Sequence, residues 1–259
     1  MIRGIDHIVI PVHELDTAIA DYAGLGFTVV RGGRHSGLNT HNALIAFADG
    51  CYFELIAFLG PPPAAAQWWY EALQHGGGLT DFCVQSDSLE DDAATFRRAG
   101  AAISAPFAMG RERPDGYRIN WELAVNEGDT RGLVPFFIRD ITPRDERLPR
   151  GRAHRNGAAG VQSLAIAAAE VNSIRLIYET ALGRRGERIE RDELQAAGVR
   201  LALGPHELQL IAPLNSSGLV AERLSQRGPS PIEVRLKAGG THRGLLDIGR
   251  AHGAHIVLA

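Results

Sequence analysis

The feature that most constrains this 259-residue chain is a unit that recurs along it. "IDHIVIPVHELDTAIADYAGLGFTVV", residues 5–30, reads as strand, helix, glycine stop and strand. Leu15, Ile19 and Tyr22 fall at spacings that make one apolar helix face, with Asp16 as the expected N-cap and Gly26 as the stop. Two apolar runs follow, "HNALIAFA" and "CYFELIAF", joined by Asp49-Gly50, a strong hairpin signal. The unit is β-α-β-β-β. "GLTDFCVQSDSLEDDAATFRRAGAAIS" repeats its grammar, aligning Leu15 with Leu89 and Gly26 with Gly100 at a shift of 74 in both cases. A third copy starts at "GVQSLAIAAAEVNSIRLIYETALG" and closes on "HELQLIAP". There Gln209 takes the place of Glu54, and Ser163 or Gln162 that of His7. "SPIEVRLKAGGTHRGLLDIGRAHGAHIVL" reads as a shortened fourth copy of one strand, one helix and one strand. Each unit needs a neighbour to cover its apolar face, so the expectation is an α+β chain in two halves, each a pair of repeats.

Two connections separate the copies. "GPPPAAAQWWYEALQHGGG" carries Trp68, Trp69 and Leu73 at spacings that predict a short packed helix. Residues 139–156, "RDITPRDERLPRGRAHRN", are charged and contain two prolines, the composition of an exposed inter-domain connection. The expected domains are therefore 1–140 and 157–259. A net charge of −3 without a basic stripe gives no nucleic-acid footprint. The apolar run from Ile8 breaks at Pro11, too early for a signal peptide, and nowhere do 18 apolar residues run together to span a membrane. Cys51 and Cys83 make no disulfide framework and fit buried thiols in a reducing cytoplasm.

His7 is the anomaly in the first strand. Alternation puts Ile5, His7 and Val9 on one face and Asp6, Ile8 and Ile10 on the other. In the last strand of the same repeat Tyr52, Glu54 and Ile56 share a face. The more uniformly apolar sets belong against the helix, which leaves His7 and Glu54 facing away from it, into one cup if the sheet is concave. An imidazole and a carboxylate there are half of a divalent metal site. The third ligand is either Asp81, where the repeat shift carries His7, or His41 at the start of "HNALIAF". The competing reading is a plain hydrogen-bonded His–Glu pair. In the second repeat Phe137 stands where Glu54 stands in the first, which removes a ligand.

Other candidates surround this pair. "VVRGGRHSGLNTHNAL" sets Arg34, His35, Thr40, His41 and Asn42 around a glycine-rich turn, from which His35 and Asn42 would offer hydrogen bonds or proton transfer. "GRERPDGYRINWE" offers Arg111, Arg113 and Asp115 before a strand with Trp121. Arg113 would either grip a carboxylate or phosphate at the cavity rim or hold the turn by an ion pair. His206 and Glu207 face opposite sides of a strand, and His242, His252 and His255 lack a carboxylate partner in register, so these are read as structural. No phosphate-binding loop or nucleophile elbow stands at a strand–helix junction.

The order "GGRH…THNAL…YFELIAF…RPDGYRINWEL…PFFI", behind "DHIVIPV" and "GLGF", resembles the glyoxalase-like domain family of the vicinal oxygen chelate superfamily, most clearly over residues 4–140. The resemblance implies that paired repeats form cup-like half-barrels, with ligands drawn from the first and last strands. Carried onto this sequence, that gives His7 and Glu54, with Asp81 a nonstandard match and Phe137 a departure. It further implies a metal-dependent lyase or isomerase for a small oxygenated organic substrate, using Zn, Fe, Mn or Ni. Glu54, His35 and Arg113 would be catalytic, Asn42, Tyr52, Trp121 and Phe137 would line the substrate, and His7, Glu54, Asp81 and His41 would be the metal candidates. A dioxygenase is less expected, because strand ends alone supply no two-histidine, one-carboxylate set. The alternative is a metal-free protein that binds a small molecule in the same cup, and a third is a scaffold with no ligand. Since the repeats pair within one chain, no dimer is required.

Overall fold

Both halves of the chain are built on the strand–helix–three-strand unit expected from the repeat. The computed structural model describes residues 1–148, 153–240 and 243–259; His242 and residues 149–152 of the second connection lie outside them. In the first repeat β1 (Ile2–Pro11) leads into α1 (Leu15–Gly24), β2 (Val30–His35), β3 (Thr40–Ala46) and β4 (Tyr52–Phe58). After α2 (Gln67–Gln74), the packed helix anticipated around Trp68, the second repeat supplies β5 (Asp81–Ser86), α3 (Leu89–Arg98), β6 (Phe107–Glu112), β7 (Arg118–Ala124) and β8 (Phe136–Asp140). These eight strands close into a barrel in the order β1-β4-β3-β2-β6-β7-β8-β5. Gly50 turns the β3–β4 hairpin with a positive φ of 87°, a conformation glycine adopts without a Cβ penalty. Asp16 is not the N-cap of α1. Glu14 holds that position without a side-chain cap, while Asp16 sits in the first turn and pairs with Arg31.

The register between the repeats decides which residues are equivalent. β1 and β5 run antiparallel with His7 opposite Cys83 and Val9 opposite Asp81. That is the pattern of a pseudo-twofold axis, so the shift of 74 makes His7 and Asp81 true counterparts. Val9 lies opposite Glu54 in the β1–β4 pair, and its counterpart Cys83 lies opposite Phe136 in the β5–β8 pair. Phe136, not Phe137, therefore stands at the Glu54 position. Phe137 faces the other way and is fully buried against Phe96 of α3, with ring centroids 5.1 Å apart. It belongs to the core beneath the helices and does not line a substrate.

The second half forms an open sheet, β10-β11-β12-β9-β13-β15-β14. Its strands are β9 (Ala158–Ala167), β10 (Glu187–Arg191), β11 (Ala196–Leu203), β12 (His206–Pro213), β13 (Ser230–Ala238), β14 (Gly244–Leu245) and β15 (Ile256–Leu258). Two helices accompany it after the short α4 (Arg144–Arg147): α5 (Val171–Leu182) and α6 (Leu219–Arg227). The fourth repeat is shortened as expected, but turns stand where its helix was expected, and a short extra strand, β14, precedes them.

The connection expected to be an exposed linker is instead a strap. Arg147, Leu148, His154 and Asn156 are all buried. Asn156 donates from Nδ2 to the Leu25 carbonyl (3.0 Å), and the Thr28 N–H donates to His154 Nδ1 (3.0 Å). One hydrophobic core runs through both halves, joining Phe96 and Phe137 to Tyr178 of α5. At the β11–β12 turn Gly204 takes φ 61°, and a Cβ there would stand 2.1 Å from the Arg3 carbonyl oxygen, so only glycine lets the second sheet approach β1 this closely.

Candidate functional site

The barrel holds a small interior pocket of about 40 Å³, room for little more than a water molecule or an ion. Glu54, on β4, stands at its centre. Its Oε2 lies 3.4 Å from His7 Nε2 and its Oε1 lies 3.3 Å from His35 Nε2. Asn42 donates to Oε1 from Nδ2 at 2.5 Å, and His35 Nδ1 meets Thr40 Oγ1 at 3.0 Å. Tyr52 stacks on the His7 ring at 4.7 Å, Phe136 meets it edge-on, and Trp121 meets His35 edge-on at 6.1 Å. Burial pushes the Glu54 carboxyl up, but His35, His7 and Asn42 outweigh it and hold the group at about 2. Glu54 is thus a carboxylate at any ordinary pH.

His7 reaches this position through a break in strand regularity. The β1–β5 register shifts between Ile5 and His7, leaving Asp6 as an extra residue, the signature of a β-bulge that re-aims side chains. Ile5 consequently joins Ile8 and Ile10 in the helix-side core, contrary to simple alternation. Asp6 does not face the helices. Its carboxylate accepts from His7 Nδ1 at 2.7 Å and from Arg147 Nη1 and Nη2 at 3.0 and 2.8 Å, and it also pairs with Arg144. Burial raises the Asp6 carboxyl, yet Arg147, His7 and Arg144 keep it well below the usual carboxylate range. With Asp6 behind Nδ1, His7 presents its Nε2 toward Glu54. A carboxylate behind an imidazole is the arrangement that orients metal-ligating histidines.

Two arginines approach the same pocket. Arg147, from the strap, is 2% exposed and donates to the Tyr52 hydroxyl at 2.7 Å as well as to Asp6 and Asp140. Arg111, from β6, is 4% exposed; its Nη2 donates to the Arg147 carbonyl and its Nη1 reaches Asn42 Oδ1 at 3.5 Å. Its Nε has no hydrogen-bond partner, and among the described residues no carboxylate lies within ion-pair distance of it. Burial lowers its affinity for a proton, with Tyr52 and Glu54 acting the other way. An uncompensated buried guanidinium beside a pocket is a group that an anionic oxygen of a ligand would satisfy.

Several sequence-based assignments change. Arg113 lies outside the barrel, where its Nε donates to Asp115 at 3.0 Å and its Nη1 to Glu146 at 2.8 Å; it holds the turn, and Arg111 is the arginine at the pocket. His41 is on the face of β3 opposite Asn42, beside Arg34 and Arg31, and cannot share an ion with His7. Asp81 is buried but turned to an adjoining cavity, where it accepts from Trp69 Nε1 at 3.2 Å. His35 is the residue that takes the place expected of them. A two-histidine, one-carboxylate combination does form, because the end of β2 brings His35 across to β4. Tyr52 and Trp121 line the pocket, whereas Asn42 stands behind Glu54 and is not part of the lining. Sequence reasoning missed Asp6 and Arg147, and neither carries a local signal: one depends on a bulge and the other on a strap folding back.

The donors His7, His35 and Glu54 suit a divalent cation of the Fe, Mn, Zn or Ni class. Two ligands of one ion at about 2.1 Å stand about 3.0–3.5 Å apart, close to the two separations at Glu54. The donors approach different oxygens, and the three are not drawn together within 4.8 Å. Among the described residues two other donor groups are that tight, and neither suits an ion. Asp6, His7 and Cys83 form one, but Asp6 is committed to arginines and burial pushes the Cys83 thiol well up. Asp49, Cys51 and His206 form the other, at the junction of the halves. There the Ile5 N–H donates to His206 Nδ1 at 3.0 Å, so Nε2 carries the proton and has no lone pair to give. His252 and His255 do have acidic neighbours, Asp21 at 3.2 Å and Glu233 at 3.3 Å.

In the open sheet the register makes Ser163 the counterpart of His7 and Gln209 that of Glu54. Arg191 fills that cup, bonding Gln209 and, at 2.6 Å, Glu233. At these equivalent positions the open sheet therefore lacks the imidazole–carboxylate set that the barrel carries.

Residues 5–182 match the sequence model of a family described as Glyoxalase-like domain. No curated protein sequence matches the chain. Among solved structures, a hypothetical protein from Staphylococcus aureus aligns over 98% of both chains with a TM-score of 0.72 at 14% identity. A mutant of 4-hydroxymandelate synthase from Streptomyces coelicolor aligns over 98% of this chain and 75% of its own, with a TM-score of 0.65 at 18% identity. A xylose isomerase-like TIM barrel/4-hydroxyphenylpyruvate dioxygenase fusion protein aligns over 97% of this chain and 38% of its own, with a TM-score of 0.54 at 15% identity. At such identities the likeness concerns the fold.

Proposed function

This chain belongs to the glyoxalase-like domain family of the vicinal oxygen chelate superfamily, and from that premise we propose that it is a metal-dependent lyase or isomerase acting on a small oxygenated organic substrate. One observation carries the reading: an ionised, buried Glu54 lies between two imidazole nitrogens, and the Asp6 carboxylate fixes one of those rings from behind. His7, His35 and Glu54 would hold the ion. When bound, it would supply Lewis-acid polarisation of a substrate oxygen. The chain's own residues then do the rest. Arg111, on the pocket lining, stabilises negative charge that develops on the substrate. Asn42 and Thr40 fix the orientations of Glu54 and His35.

Metal analysis of protein purified without chelator tests this. The expected result is about one divalent ion per chain, lost in His7→Ala and Glu54→Gln, together with a melting temperature that falls when EDTA is added. Absence of metal in the unaltered protein, with no response to added Zn, Mn, Fe or Ni, would overturn it. The same donor set serves non-haem iron oxygenases. Substrate-dependent oxygen uptake by the iron-loaded protein would therefore replace the lyase or isomerase assignment with an oxygenase. A second reading, a metal-free binding protein, draws support from the larger apolar cavity beside the pocket. It predicts thermal shifts with small organic acids that EDTA leaves unchanged.

A further inference from the structure

A chamber of about 340 Å³ adjoins the His7–Glu54 pocket and shares Trp69, Met109, Leu123 and Phe136 with it. Its walls are chiefly apolar, with Trp68 and Phe107 completing the aromatic side. Asp81 opens onto it from the start of β5, 6% exposed. Both oxygens of Asp81 receive hydrogen bonds, Oδ1 from the Phe82 N–H at 2.9 Å and Oδ2 from the Trp69 indole at 3.2 Å. Among the described residues no cation stands within ion-pair distance; Arg131, also on the chamber wall, acts from farther away. The pseudo-twofold places this acid where the first repeat has His7, so the barrel carries an imidazole at one such position and an unpaired carboxyl at the other.

We propose that the chamber binds the apolar part of the ligand, an aromatic group of one or two rings bearing a carbonyl or ether oxygen, and that Asp81 is its specificity-determining residue, donating the carboxyl proton to that oxygen. The size follows from volume: an apolar cavity of about 150 Å³ accommodates benzene, and this one is roughly twice as large. The donor follows from geometry. Trp69 and Phe82 can only give hydrogen bonds to Asp81, so neither can accept a proton from it, and the carboxyl lines the chamber with no acceptor in those two contacts. Burial supports this by pushing the carboxyl up to about 8, which keeps it protonated near neutrality. The assignment rests on reading the barrel as a ligand site and is independent of any metal.

Calorimetry on chelator-treated protein with 2-acetylnaphthalene and 2-ethylnaphthalene tests it. The two probes differ by an acceptor oxygen. At pH 6.5 the ketone should bind about five- to tenfold more tightly than the hydrocarbon, the range of one net hydrogen bond. Asp81→Asn, which keeps an N–H donor, should retain the preference, and Asp81→Leu should abolish it. Raising the pH to 9.5 should remove the preference in the unaltered protein and leave it in Asp81→Asn. Arg131 and Glu127 also face the chamber, and Cys83 and Tyr178 act on Asp81 from behind; burial holds both of the latter neutral over this range. The asparagine variant separates their effects from that of Asp81. Equal affinity for the two probes, binding of neither, or a preference that survives in Asp81→Leu would overturn the proposal. Should Asp81→Leu fail to fold, the pH comparison between the unaltered protein and Asp81→Asn decides. Failure here would leave the metal analysis untouched, and a metal-free barrel would leave this measurement standing.

Discussion

Two buried carboxyls in one barrel titrate in opposite directions, and the difference is what touches them. Glu54 has two imidazoles and an amide donor, whereas Asp81 has an indole, one backbone N–H and no nearby cation. Glu54 in the folded chain sits near 2, below its ordinary 4.5. It therefore contributes stability that is present above pH 4.5 and is lost as the pH falls toward 2, about 3 kcal/mol at about 1.4 kcal/mol per pH unit. Asp81 sits near 8, above its ordinary 3.8. Stability should therefore decline as the pH rises from about 4 through 8, by at most roughly 6 kcal/mol. Urea titrations across pH check both signs. Glu54→Gln should cost about 3 kcal/mol at pH 7 and only about 1 kcal/mol at pH 2.5. Asp81→Asn should gain stability at pH 9 and not at pH 4; a variant that stays parallel to the unaltered protein across this range would contradict the argument. The His7–Glu54 meeting was legible in the sequence because alternation holds from His7 to Val9 and along β4, although the bulge at Asp6 takes Ile5 out of that pattern. Arg111 was passed over for Arg113, since nothing local tells where β6 ends, and Phe136 was misjudged by one residue because the register of β8 is set by its partner β5.

At the scale of elements, the second connection departs furthest from expectation. Charge and prolines marked residues 139–156 as an exposed linker, yet α4 carries Arg147 back to close one end of the barrel. The reason is electrostatic and invisible locally. The bulge in β1 leaves Asp6 fully buried, and a buried carboxylate requires a cation. Arg147, with Arg144 beside it, supplies that cation from 141 positions away. Removing one partner of a buried pair is costly because the other stays charged. Arg147→Met should therefore destabilise by about 3–5 kcal/mol. Asp6→Asn combined with Arg147→Met should lose less than the two single changes together, since no isolated charge remains. A double-mutant cycle from chemical denaturation measures the coupling, and simple additivity would mean that the strap is not held by this pair. The same cycle bears on the site. With Asp6 neutral, the His7 ring loses the carboxylate that orients it, so metal retention should fall in Asp6→Asn even where the fold persists.

At the scale of the whole molecule, the repeat predicted two halves; the strands form a barrel and an open sheet, and one hydrophobic core joins them. The core continues from Phe96 and Phe137 into Tyr178, whose hydroxyl donates to the Leu133 carbonyl at 2.8 Å. Tyr22 reaches the Ala251 carbonyl at 3.0 Å, and Asp49 accepts from the Val161 N–H at 2.7 Å. The His206 ring, held by the Ile5 N–H, ties the β12 edge to the very strand that carries His7. Sequence could announce the duplication but not this docking, because the joining groups are single tyrosines, a glycine and a histidine scattered over the repeats. A boundary near residue 150 in the chain is therefore not expected to be a boundary in stability. All three tryptophans, Trp68, Trp69 and Trp121, belong to the barrel half, so their fluorescence reports that half alone. Leu210 is fully buried in the open sheet, and Leu210→Ala should cost about 2–5 kcal/mol there. If the halves unfold together, the tryptophan-detected midpoint falls by the same amount as the midpoint from far-ultraviolet circular dichroism, and each curve keeps a single transition. A fluorescence midpoint that stays put while the dichroism curve splits would mean that the barrel stands without its neighbour.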